Sequence, residues 1–121
     1  MDDADVPRDV PRPEPPLVLD AARSGRAARL RIAGELDAYS APALSERCRE
    51  LLDGGVRDLR VDLRDATFID SSGLRALLLA HRHLRESGGS LRVDDASEPV
   101  RRLLEITGLT LQLGLRPSPD V

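Results

Sequence analysis

Seven consecutive residues, Phe68-Ile69-Asp70-Ser71-Ser72-Gly73-Leu74, constrain the fold of this chain more than any other stretch. An apolar tail runs into a carboxylate, two hydroxyls and a glycine. Upstream, residues 56–63 alternate apolar and charged side chains, the period of a half-buried strand with Leu59, Val61 and Leu63 inward, and residues 64–67 bridge into the corner. Downstream of Gly73, Leu74, Leu77, Leu78, His81 and Leu84 recur at helical spacing, with Arg75, Arg82 and Glu86 away from that stripe. A change of period across so short a stretch demands a strand-to-helix corner. The helix must then fold back on the sheet to bury its stripe.

The rest of the chain repeats this logic. Residues 17–22 and 28–33 read as two strands joined through a turn at residues 23–26, after which Gly34-Glu35-Leu36-Asp37 leaves the sheet. Ser40-Ala41-Pro42 opens a helix with Ser40 as N-cap, Leu44, Cys48, Leu51 and Leu52 forming its stripe and Asp53-Gly54-Gly55 ending it. Ser87-Gly88-Gly89 stops the second helix, residues 90–94 give another strand, and Ser97-Glu98-Pro99 starts a third helix closed by Gly108. Residues 110–115 read as a last short strand. The order strand, strand, helix, strand, helix, strand, helix predicts a small α/β fold around a mixed sheet of four to five strands, with right-handed crossovers.

Residues 1–16 combine five acids with five prolines and no apolar period, so they read as a flexible arm. Residues 17–115 form the predicted domain and residues 116–121 a polar tail. With only Tyr39 and Phe68 as aromatics, the core must be aliphatic. The net charge of -3 argues against general nucleic-acid binding, since no excess of cations exists to displace counterions from phosphate. No apolar run reaches the ~20 residues of a membrane span, and the acidic, proline-rich start is not a signal peptide. The single cysteine, Cys48, cannot form an internal disulfide and reads as core filler. These features predict a soluble cytoplasmic protein that engages neither membrane nor nucleic acid.

At the corner, the plainest role for the hydroxyls is capping. Asp70 or Ser71 accepts a hydrogen bond from an orphan N–H of the first turn. Yet one cap suffices, and three capping side chains followed by Gly73 exceed that need. A hydroxyl at a helix start is also presented to solvent, where phosphorylation adds a charge of about -1.5 to -2.

The motifs Gly34-Glu35-Leu36-Asp37, Tyr39-Ser40-Ala41-Pro42, the corner itself, Ser87-Gly88-Gly89-Ser90-Leu91 and Ile106-Thr107-Gly108-Leu109 occur in an order that resembles the anti-sigma factor antagonists of the STAS domain family. The resemblance implies a partner-switching regulator with no cofactor or metal and no catalysis of its own. It implies binding, while unphosphorylated, to an anti-sigma factor that is also a serine kinase, release on phosphorylation of Ser71, and reversal by a serine phosphatase. It further implies that Asp70, Ser72 and Gly73 support the switch, and that Asp37, Tyr39 and Ser40 join the partner surface. Arg75, where many members carry a small residue, could pair with a phosphate or contact the partner. Leu79, on the side of the helix opposite the core stripe, is a further contact candidate.

Two rivals stand beside this reading. A STAS scaffold that is never phosphorylated, within a transport or stress-sensing complex, would keep the same residues for capping alone. A hydrolase using Ser71 or Ser72 with His81 or His83 lacks the Gly-x-Ser-x-Gly elbow, and His81 falls on the apolar stripe.

Overall fold

The computed structural model describes residues 17–116; the expected arm (1–16) and residues 117–121 of the expected tail lie outside the described residues. Strands β1 (Leu17–Ser24) and β2 (Ala27–Leu36) form a hairpin, followed by α1 (Ala41–Asp53), β3 (Asp58–Ile69), α2 (Ser71–Glu86), β4 (Ser90–Ala96) and α3 (Glu98–Thr107). The sheet order is β1-β2-β3-β4, with β1 antiparallel to β2 and both remaining pairs parallel. The predicted mixed α/β order is therefore the observed one.

One face of the sheet is buried. Leu30, Ile32, Leu59, Val61, Leu63, Leu91 and Val93 are inaccessible or nearly so, while Arg29, Arg31, Arg60 and Arg92 between them remain exposed. The aliphatic core expected from the composition lies between that face and the helices, where Leu44, Leu77, Leu84, Val100 and Leu104 meet it.

Strands β2 and β3 both run past the ends expected from the sequence. Residues 34–36 do not leave the sheet but continue β2, and residues 64–67 are strand rather than bridge. Register shifts between Arg31 and Ala33 and between Gly34 and Glu35 let the β2–β3 ladder continue after the strict alternation ends. Beyond Leu63 the buried positions of β3 are Ala66 and Ile69, so Phe68 faces outward.

The expected strand at residues 110–115 is a turn instead. Gly108 ends α3 in the left-handed region (φ 75°), and the following backbone closes on itself through Leu113 N–H to Leu109 O (3.1 Å) and Leu115 N–H to Thr110 O (2.9 Å). Those donors are unavailable to a ladder. One bond, from Val93 N–H to Leu113 O at 2.7 Å, ties the turn to β4. Among the described residues the sheet therefore has four strands, within the four to five expected.

Candidate functional site

The corner between β3 and α2 is locked from three sides. Asp70 takes the N-cap position in extended conformation, and its Oδ1 accepts from the N–H groups of Ser72 (2.9 Å) and Gly73 (3.1 Å). Asp70 N–H donates to Leu36 O at 3.2 Å, joining the corner to the end of β2. Gly73 is buried against the same residue: a Cβ there would lie 2.4 Å from Leu36 O. Only glycine permits that approach of helix to strand.

Asp70 thus settles which side chain caps α2, and Ser71 is left without that task. Ser71 is exposed at the first helical position, and its hydroxyl has no hydrogen-bond partner among the described residues. Ser72 is half-buried beside it. The Asp70 carboxylate already takes the Ser72 and Gly73 N–H groups at this end of α2, so an anion on Ser71 would stand beside a negative charge, with the peptide dipoles of the helix as the local counterweight.

The loop after β2 reaches the corner because Leu36 pairs with Ile69 in the parallel ladder. Within it, Asp37 Oδ1 accepts from the N–H groups of Tyr39 and Ser40, both at 3.0 Å. Ser40 is 4% exposed; its hydroxyl donates to Glu35 O at 2.6 Å and accepts from Asp37 N–H at 3.0 Å. It occupies the N-cap position of α1 without the side-chain capping bond expected of it, because its oxygen serves the loop instead. Ser40 therefore holds the loop while Tyr39, 67% exposed, projects from it.

Phe68 is the residue that the sequence reading missed. Its reading as part of an apolar strand tail gives it no exposed role, yet it is 45% exposed and lies across from Glu35 in the ladder. The signal available in the sequence was the lost alternation after Leu63, which leaves the inward position to Ile69 rather than Phe68. The chain's two aromatics thus both lie exposed next to the corner.

Arg75 is exposed one turn beyond Ser71 on the same side of α2. Leu79 is half-buried rather than standing opposite the core; with Cys48, Leu52 and Ala80 it lines a cleft of about 200 Å³ between α1 and α2. Burial pushes the Cys48 thiol up to about 11, against a small opposing effect of Arg47. His81 is buried, as its place on the stripe implied, and neither ring nitrogen has a hydrogen-bond partner among the described residues. It is therefore not aligned with Ser71 or Ser72 as a base. Among the described residues no group of three or more His, Cys, Asp or Glu could hold a metal, and no helix is long and apolar enough to cross a membrane.

Comparison with known proteins agrees with this architecture. The anti-sigma-B factor antagonist of Bacillus subtilis (strain 168) is 38% identical over 91 residues, covering 75% of this chain and 83% of the relative. An anti-sigma factor antagonist from Mycobacterium paratuberculosis superposes with a TM-score of 0.74 at 24% identity, over 86% of this chain and 88% of the other. The Bacillus cell fate determinant SpoIIAA in its phosphorylated form gives 0.67 at 18% identity, over 85% and 94%. The likeness of these two structures is one of fold. The family model described as "Mlab, STAS domain" matches residues 19–115. With four fifths of its length accounted for by that match, and with the mixed four-stranded sheet on the page, the chain belongs to the STAS domain family.

Proposed function

We propose that this chain is a cytoplasmic anti-sigma factor antagonist, carried by residues 17–115, and that phosphorylation of Ser71 switches it off. One observation carries the reading. Asp70 satisfies the cap of α2, so the exposed Ser71 hydroxyl serves no structural bond that phosphorylation would break. Similarity to the B. subtilis antagonist supports the partner class, an anti-sigma factor. That partner is also the serine kinase, and a separate phosphatase restores the unmodified form.

In the unmodified state the partner covers the corner, contacting Ser71, the Asp37–Tyr39 loop held by Ser40, the exposed Phe68 ring and Arg75. Aromatic side chains at such a patch bury large area at low entropic cost. Leu79 belongs to its margin. A phosphate on Ser71 places about two negative charges beside Asp70 and in the middle of this patch. Arg75, one turn on, is placed to pair with it, drawing the cation away from the partner. Release thus follows from charge and desolvation at the interface, with Asp70, Ser72 and Gly73 keeping the turn rigid. The chain supplies the switch and its partner supplies the catalysis.

The test is incubation with the cognate anti-sigma factor and ATP, phosphate mapping by mass spectrometry, and calorimetric binding. Ser71→Ala should abolish phosphorylation and keep affinity within about twofold, while Ser71→Asp should weaken it at least roughly tenfold, or 1.4 kcal/mol. Modification confined to Ser72 would move the site. An active kinase partner that neither binds nor modifies the chain would replace this reading with the scaffold.

A further inference from the structure

A groove of about 600 Å³ runs between α2 and the turn that follows α3. Arg75, Leu78, Arg82 and Arg85 lie on its α2 wall, with the acid Glu86 at its far end, and Leu109 and Gln112 face them. The four α2 residues recur every three or four positions, so they share one side of the helix. Of the three guanidinium groups only that of Arg82 has a carboxylate partner, Glu86 at 3.2 Å, and the pair is largely exposed. Arg75 and Arg85 have no such partner among the described residues. Leu78 and Leu109 are half-buried, leaving an apolar floor between cations.

We infer that this groove docks an acidic amphipathic helix of the protein partner. Ten residues separate Arg75 from Arg85, a rise of about 15 Å along α2. A single small anion neutralises one cation and leaves the other that far away. A second helix lying along the groove has the same rise, so carboxylates at positions i, i+7 and i+10 meet the three arginines while leucines at i+3 and i+4 cover Leu78 and Leu109. Such charge-assisted pairs across a partly apolar seam give orientation and salt-dependent affinity. The groove begins at Arg75, four residues from Ser71, so it continues the corner surface along α2. The inference rests on the proposed function only for the partner's identity.

A synthetic 14-residue helical peptide carrying Glu at i, i+7 and i+10 with Leu at i+3 and i+4 serves as the probe, titrated into the isotopically labelled full chain. Chemical-shift changes should fall on residues 75–86 and 109–112, and Arg85→Glu should weaken binding about tenfold. A peptide with Lys in place of only the Glu that faces residue 85 should recover affinity for that variant. Absent shifts, shifts elsewhere, or an unaltered affinity in Arg85→Glu overturn the inference. So does loss of the groove's wild-type shifts on deleting residues 1–16 without peptide, which would make the acidic arm the occupant. If Ser71→Asp weakens the anti-sigma factor while Arg85→Glu affects neither it nor the peptide, the groove falls and the switch stands. If the peptide binds as described but no anti-sigma factor does, the groove stands and the proposed function falls.

Discussion

Gly73 and Asp70 act on the same few ångströms of chain by opposite means, one by having no side chain and the other by what its side chain accepts. A methyl at Gly73 meets the Leu36 carbonyl, which is tied to Asp70 N–H and cannot retreat without opening the corner. Gly73→Ala should therefore cost about 1–3 kcal/mol in urea unfolding, as an overpacked site. Asp70→Ala should cost about 1 kcal/mol by uncapping α2. Ser71→Ala should cost almost nothing, because its hydroxyl bonds to no described group. That contrast separates a capping residue from an available one. Cys48 offers a second check at this scale. With its thiol at about 11, roughly one part in a thousand is thiolate at pH 8. Iodoacetamide should leave the native chain unlabelled over the time in which urea-unfolded chain reacts completely, whereas rapid native labelling would mean that the α1–α2 cleft opens.

Among the elements, α2 carries both roles: one side packs into the core and its first turn presents Ser71, the proposed switch. Its buried side includes Leu74, Leu77, Ala80 and Leu84, while Ser71, Arg75 and Arg82 stay in solvent. The turn after α3 shows how an element can be bound to a sheet without joining it. Leu113 and Leu115 are buried, yet Leu111, two residues before Leu113, is 88% exposed. Leu113→Ala should destabilise by about 2–5 kcal/mol through transfer and cavity costs. Leu111→Ala should stay within about 0.5 kcal/mol. Equal losses in denaturant titrations of the two variants would show that residues 109–115 do not hold this turn in solution. Were they paired as a strand, alternate residues 111, 113 and 115 would share one burial, which the observed pattern contradicts.

For the whole molecule, the outer face of the sheet is an electrostatic problem. Parallel register sets Arg29, Arg60 and Arg92 side by side across β2, β3 and β4. Asp94 answers the first two, 3.7 Å from Arg29 and 4.0 Å from Arg60. Exposed pairs of this kind, including Arg31 with Asp65 at 2.7 Å, add little individually. Asp62 differs because it is 3% exposed. Burial by itself raises its pKa, but hydrogen bonds from the Arg64 guanidinium (2.9 Å) and backbone N–H (3.0 Å), with the charges of Arg64 and Arg29, outweigh it and hold the carboxyl below the usual carboxylate range. A depressed folded value means that the contribution is complete above the unfolded pKa, about 4, and is lost as pH falls through the folded one. Stability should thus decline below about pH 4, and Asp62→Asn should flatten that acid limb in urea midpoints measured between pH 2 and 6. A parallel decline in both proteins would assign the acid sensitivity elsewhere.

The sequence by itself determined the α/β order, the aliphatic core and the location of the corner, because periodicity and capping chemistry are local and survive any arrangement of neighbours. Leu59, Val61 and Leu63 could be read as inward from their spacing alone. Only the tertiary structure decided that residues 64–67 stay in the sheet, that Phe68 turns outward, that Ser40 bonds its own loop and that residues 110–115 form a turn. Each depends on a partner distant in sequence or on a register shift: Glu35 across from Phe68, Leu36 against Gly73, Val93 against Leu113. Such contacts leave no period to read. The corner could be found from one dimension, but which of its side chains caps the helix and which stays free is decided by three.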